Sequence, residues 1–391
     1  MFQDLWVFAV AVVFVAINGL TMLAWAAAQG YKMKPTAFAF LIGAVGNLLM
    51  GSITPISGQS SILTVSHFMK NVNERIAALL IAVVVMIPLG LTGSVTWIAD
   101  FAGTAVVAGM MAGVGLMVAG ISFDMFKQAR RTTAISFISA LATHVIFLYF
   151  FPSAHRLVYV IGVSVTLATL DYVFLQKDPE TGKRGRRVDI LKLSKDQGYT
   201  GDMAQNDNPK FWTKEYWSDF KLMKPKFSFY AIYFALAFIS LNIGTNIAFG
   251  NITAGMGGVA QNMDHLTVIN SLADIPSVLF GGAPVGAIIS ATAAAPWPVM
   301  AGVVMMLFCA LLLFLGQMTK AVKYIPVHPI AGFLFIIGFF ATFVPNLTNA
   351  WGTGYTTQAA TAVAITALTK NPFLGLVAGV AVRYIGVYFG L

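Results

Sequence analysis

Charged residues are scarce in this chain. Asp, Glu, Lys and Arg supply 10% of its 391 residues, whereas an average soluble protein devotes about a quarter to them. With 58% of the residues hydrophobic, a soluble globular reading is excluded. Cysteine is nearly absent: Cys309 is the single one and lies inside an apolar stretch, which excludes an intrachain disulfide and a cysteine metal cluster. A phosphate-binding glycine loop, metal-spaced histidines and a nucleophile motif are also missing. ATP-driven pumping and enzyme chemistry by this chain are therefore not expected, and neither is a metal or a bound cofactor. Acidic residues stop early, since no Asp or Glu follows Asp274.

Apolar stretches of membrane-spanning length take up most of the remainder. The first, DLWVFAVAVVFVAINGLTMLAWAAA (4–28), is too long for the apolar part of a signal peptide and lacks its basic flank, so it reads as a retained first helix. Further spans are expected near 36–51, 55–68, 76–98, 102–124, 132–152 and 157–175, then near 227–250, 265–281, 284–296, 297–317, 327–345, 355–369 and 372–390. The expected class is an all-α polytopic protein of the plasma (inner) membrane. It has about fourteen transmembrane segments, two of them too short to cross alone as helix.

Residues 176–226 break this pattern with twelve basic and eight acidic side chains. They read as a polar linker between a first repeat (1–175) and a second (227–391). Within the linker, KFWTKEYWSDFKLM (210–223) spaces Trp212, Tyr216 and Phe220 four apart, as an amphipathic helix on the membrane surface would. The net charge of +9 does not imply nucleic acid, because 22 of the 24 basic residues fall in six loops. Those loops share one side if every segment crosses once. The positive-inside rule makes that side, and the linker, cytoplasmic and puts both termini outside.

Three short matches recur in the same order in the two halves: AINGLTML (16–23) with SLNIGTNI (240–247), LLMGSITPIS (48–57) with VLFGGAPVG (278–286), and VAGMMAGVG (107–115) with IAGFLFIIG (330–338). They align Asn18 with Asn242, Gly51 with Gly281, Pro55 with Pro284, Gly109 with Gly332 and Gly115 with Gly338. Seven spans per half is an odd number, so the second half enters from the opposite side. This is an inverted-topology repeat of the kind found in secondary transporters.

The segments after Pro55 and Pro284 are short, interrupted by Gly and Pro, and occupy corresponding places. Such breaks free backbone groups that need polar partners at membrane depth, and they point to a binding site. Two short helices beginning there would aim their N-termini at one midplane solute, favouring an anion or a carbonyl-rich ring. Ser57, Gly58, Gln59, Ser60 and Ser61 at the first break and Ser290 and Thr292 at the second are the candidate substrate contacts. The plainer alternative is that small residues here only allow close helix packing. Asn18, Asn242, Thr245 and Asn246 suit either solute contact or interhelical hydrogen bonds. Asp274 is the candidate for a proton- or sodium-coupling carboxylate, or alternatively satisfies backbone freed by the break at Pro276. Arg383 reads as snorkelling or paired, and His144 as a hydrogen-bonded structural residue.

SLADIPSVLFGGAP (271–284) and IPVHPIAGFLFIIG (325–338) resemble the nucleobase-cation symporter and nucleobase-ascorbate transporter family, which includes the uracil and xanthine permeases. The resemblance implies a seven-plus-seven inverted fold with a core domain (segments one to four and eight to eleven) and a gate domain (five to seven and twelve to fourteen). Substrate would lie between the two broken segments. Two departures stand out. Leu241 and Ser290 occupy places where the family usually has an acid, or an acid or amide, and the charge count reverses the family's cytoplasmic termini. The first expectation is a cation-coupled nucleobase permease for a purine or pyrimidine. The alternative is an anion permease of the same fold, for a small carboxylate, urate or an inorganic anion; a membrane-embedded enzyme or receptor is disfavoured. Expected partners are a small-molecule substrate and the lipid bilayer, with a homodimer allowed and no nucleic acid.

Overall fold

The computed structural model describes residues 2–59, 63, 69, 71–178, 182, 184–188, 213–218, 220–318, 320, 324 and 326–389. The apolar runs are helical because a spanning segment must satisfy its own backbone N–H and C=O groups. Among the described residues, eight helices are long and apolar enough to cross a membrane: α1 (Phe2–Ala28), α2 (Met33–Met50), α3 (Val72–Leu91), α5 (Thr104–Gln128), α6 (Arg130–Phe150), α7 (Arg156–Leu175), α9 (Phe229–Gly257) and α12 (His328–Gly352). Between and after these come α4 (Ser94–Ala102), α8 (Lys214–Ser218), α10 (Met263–Leu279), α11 (Pro298–Phe314), α13 (Thr356–Thr369) and α14 (Pro372–Phe389). Large apolar side chains such as Leu49, Val84 and Ile138 remain exposed on the long helices, as a lipid-facing surface requires. The chain is an integral, multi-pass membrane protein.

The two short segments do not begin as helices. Each opens with a strand, β1 (Ile56–Gly58) and β2 (Val285–Ala287), and the second continues into a 3-10 turn at Ala291–Ala294. The strands pair antiparallel, with Ile56 opposite Ala287, Ser57 opposite Gly286 and Gly58 opposite Val285. Ile288 N–H also donates to the Pro55 carbonyl at 3.1 Å. Groups that the breaks would have left unpaired are thus satisfied by the opposite break, and the helix N-termini expected directly after Pro55 and Pro284 are replaced by paired extended chain. The expected span at 76–98 is also split. It turns at Gly93 (φ 73) between α3 and α4, and Asp264 accepts hydrogen bonds from the Val95 and Thr96 N–H groups at the start of α4.

Around the strand pair lie α1, α2, α3, α9, α10 and α11, while α5, α6, α7, α12, α13 and α14 pack against one another. Contacts between the two groups run mainly through α1 with α7 and α9 with α14. Small residues set the approach where α5 meets α12. A Cβ on Gly115 would lie 2.6 Å from the Gly338 carbonyl oxygen, and one on Gly338 would lie 2.7 Å from that of Gly115. Gly338 sits in a π-helical stretch of α12, Ile336–Phe343. Such wide turns are frequent near functional sites.

The described part of the linker's aromatic stretch packs on the helices. Helix α8 buries Tyr216, whose hydroxyl donates to the Phe314 carbonyl at 2.5 Å and whose ring sits 4.6 Å beneath the Lys34 ammonium. Met223 N–H donates to the Leu279 carbonyl, Lys226 N–H donates to the Asn73 carbonyl, and Lys226 pairs with Glu74 at 3.0 Å. These contacts dock residues 213–218 and 220–226 on the ends of α2, α3, α10 and α11. Trp212 lies outside the described residues.

Candidate functional site

Ile56, Ser57 and Gly58 are all buried, with α1 and α2 packed against them. The α1 backbone comes so near that a Cβ on Gly19 would stand 2.8 Å from Ser57 Oγ, and one on Gly58 would stand 3.3 Å from Met22 Cβ. Ser57 is buried, and its hydroxyl has no hydrogen-bond partner among the described residues. Gln59, one residue beyond β1, is also buried. Its Nε2 donates to the Ala287 carbonyl at 3.3 Å, whereas Oε1 has no partner among the described residues. Gly286 leaves the room that Gln59 fills, since a Cβ there would meet Gln59 Oε1 at 2.6 Å. A buried polar atom without a partner costs about 1–3 kcal/mol. Two such atoms, Ser57 Oγ and Gln59 Oε1, lie on residues two apart in the chain.

The second break is arranged differently. Ser290 and Thr292 are fully buried but satisfy each other: their hydroxyls lie 2.7 Å apart, and Ser290 Oγ accepts the Thr292 N–H at the start of the 3-10 turn. They act as a turn cap, and no hydrogen bond joins them to Ser57 or Gln59 among the described residues. Asp274 is buried on α10, and its carboxylate accepts the Val285 N–H at 2.7 Å, which anchors the start of β2. Its partner is the far strand rather than the helix turn at Pro276.

On the first helix of each half, Asn18 and Asn242 are half-buried, and their carbonyls accept the hydroxyls of Thr21 and Thr245. Thr245 is directed to its own helix through the Leu241 carbonyl. Asn246 bridges α9 to α10, donating to Thr267 Oγ1 at 3.0 Å and accepting from Asn270 Nδ2 at 2.7 Å. Ser60 and Ser61 lie outside the described residues. Arg383 is paired, donating to the Phe101 and Ala102 carbonyls. The hydrogen bond expected of His144 is not seen at Nδ1, and its ring instead packs on Phe340 at 5.0 Å.

The sequence reading missed an opening between the two helix groups. A cavity of about 450 Å³ is lined by Arg156 on α7, Asn251 on α9, Ala294 of the 3-10 turn, and Phe340, Asn346 and Asn349 on α12. At its edge His155 Nδ1 meets the Ala294 carbonyl at 2.6 Å, tying the start of α7 to the second break.

No protein-family model matches the sequence, and no curated protein does. Solved structures do resemble the fold. The transmembrane domain of the cyanobacterial bicarbonate transporter BicA aligns with a TM-score of 0.51 and 14% identity over 97% of this chain and 98% of that one. SLC26A9 aligns with a TM-score of 0.50 and 11% identity over 98% of this chain, which spans 65% of the SLC26A9 chain. Nothing in these comparisons supports the nucleobase-cation symporter resemblance specifically. The chain shares the fold of the BicA transmembrane domain and of the part of SLC26A9 with which it aligns.

Proposed function

We propose that this protein is a secondary permease for a small anion, held where β1 meets β2. The observation that carries the reading is a pair of buried polar atoms without a partner among the described residues at a crossing of two broken segments: the Ser57 hydroxyl, which can donate to an anion, and Gln59 Oε1, which can accept from a protonated one such as bicarbonate. Bicarbonate, the cargo of the BicA relative in fold, belongs to the chemical class such a site suits. A nucleobase is less favoured. Base-edge recognition calls for an acid or amide after the second break, and Ser290 stands there already committed to Thr292.

The site rests on a seven-plus-seven inverted repeat, with residues 1–175 and 227–391 as the halves, and several pairs of local features support it. Gly51 and Gly281 both turn the chain at positive φ. Asn47 Nδ2 donates to the Thr54 carbonyl at 2.8 Å, as Ser277 Oγ does to the Ala283 carbonyl at 2.7 Å, at corresponding positions. Ser57 and Gly286, which the sequence alignment equates, are the central pair of the two strands. Gly115 and Gly338, also equated, meet face to face. Such reciprocity is what a two-fold axis in the membrane plane produces. On this reading the helices around the strands form a core domain and the other group a gate, Asp274 is the coupling carboxylate, and residues 176–226 are cytoplasmic.

Uptake of labelled bicarbonate, formate, nitrate, urate, uracil and xanthine into proteoliposomes tests the function. Saturable uptake of one or more anions is expected. Uptake of uracil or xanthine with no anion transported would overturn the reading in favour of the nucleobase permease.

A further inference from the structure

Of the 24 basic residues, only Arg156 and Arg383 stand outside the six basic stretches. Arg383 is spent on two backbone carbonyls. Arg156 is not: the residue is half-buried, its guanidinium makes no ion pair or side-chain hydrogen bond among the described residues, and of its nitrogens Nε is shut off from solvent without a partner. A guanidinium stripped of part of its water and given no counter-charge is a costly arrangement unless an anion visits it.

The surroundings fit such a visitor. Arg156 lines the cavity between the two helix groups together with Asn251, Asn346 and Asn349, and no carboxylate contributes to that lining. Asn251 Nδ2 donates to the Ile247 carbonyl and Asn346 Nδ2 to the Thr342 carbonyl, each at 2.8 Å. Each amide nitrogen carries two hydrogens, so one remains for a ligand. Asn349 is exposed and forms no side-chain hydrogen bond among the described residues. One fork-shaped cation with neighbouring amide donors is the chemistry that grips a small oxyanion. The volume of about 450 Å³ is ample for one with its water.

Position gives the cavity its role. Arg156 begins α7 and Gly257 ends α9, whereas the linker leaves α7 at Leu175 and joins α9 before Phe229. The cavity therefore opens on the face opposite the linker and reaches Ala294, two residues past Thr292 at the second break. We infer that Arg156, Asn251, Asn346 and Asn349 form an anion-capture site on this face. It is distinct from the site at β1 and β2 and concentrates small oxyanions ahead of transport. The inference rests on the anion reading for its purpose, but not for the binding itself.

A thiol introduced by Asn349→Cys reports on the cavity directly, because that position is exposed and Cys309 is buried. Its alkylation is followed in the purified, full-length protein with bicarbonate, nitrate or formate as the probe. Ionic strength is held constant with a bulky sulfonate, so that general screening is the same throughout. At least one probe should slow alkylation saturably. Arg156→Gln should raise the half-protecting concentration at least tenfold, Arg156→Lys should raise it less, and Ser57→Ala should leave it within twofold. If Arg156→Gln does not fold, Asn346→Asp serves in its place, since a carboxylate in the cavity should weaken protection by a similar factor. Absence of protection by all three probes, or equal protection in the folded Arg156 or Asn346 variants, would overturn the capture site. Protection in a protein that moves no anion into proteoliposomes would support the site while overturning the permease reading.

Discussion

Replacing Ser57 by alanine separates a binding role from a structural one, because the two predict effects of opposite sign. The Ser57 hydroxyl is buried at the centre of the strand pair and has no partner among the described residues. Its removal therefore takes away no hydrogen bond from the folded protein and relieves a desolvation cost of about 1–3 kcal/mol. The variant should melt at the same temperature as the parent or higher. A bound anion would instead lose a charge-assisted hydrogen bond worth about 1.5–3 kcal/mol. At about 1.4 kcal/mol per tenfold, that raises KM roughly 10- to 150-fold. Melting in detergent and initial uptake rates in proteoliposomes give the two numbers on one preparation. A lower melting temperature with an unchanged KM would refute the reasoning and make Ser57 a packing residue.

Further expectations rest on separate contacts. Gln59→Ala removes Oε1, the atom left for solute, along with the bond to the Ala287 carbonyl and should weaken solute binding by about 1 kcal/mol, read as a several-fold rise in KM; an unchanged KM in a folded variant would count against Gln59 as a ligand. Asp274→Asn keeps an oxygen for the Val285 N–H, so it should spare folding and solute exchange while abolishing gradient-driven accumulation; accumulation at the parent level would remove the coupling role. Gly115→Ala places a methyl 2.6 Å from the Gly338 carbonyl and should cost about 1–3 kcal/mol of stability by overpacking, seen as an earlier melting transition; an unshifted transition would mean that α5 and α12 stand further apart. Cysteines at Lys177 and Thr348, both exposed, should label from opposite faces of the membrane, with the Lys177 position cytoplasmic. Labelling of that position in intact cells by an impermeant reagent would reverse the proposed orientation.

Much of the architecture could be read from residue order. Spans such as 4–28 and 372–390 were legible because membrane thickness fixes how long an apolar run must be. The resulting helices, Phe2–Ala28 and Pro372–Phe389, begin and end within a few residues of those limits. The breaks at Pro55 and Pro284 were legible from proline and glycine, but their strand character was not. ISG and VGA are too short to show alternation, and their pairing partner lies in the other half of the chain. Ser57 and Gln59 stood out as polar residues in an apolar setting. Ser290 and Thr292 stood out for the same reason, yet they are two residues apart and satisfy one another, a local geometry that composition does not reveal. Tyr216 showed the right periodicity for an amphipathic helix, but periodicity does not say whether lipid or protein covers the apolar face. The cavity at Arg156 draws on four distant segments and has no sequence motif. Its one legible sign was a basic residue outside the six basic stretches.

Protection of a thiol introduced by Ser57→Cys, in a protein carrying Cys309→Ala, tests the central claim most directly, because it asks whether transported solute occupies the crossing of β1 and β2. Alkylation in proteoliposomes should be slowed by a transported anion, with half-protection near the KM for uptake, and should be indifferent to uracil. An alkylation rate unchanged by saturating concentrations of an anion that the same vesicles transport would contradict the account and move the binding site away from the two breaks.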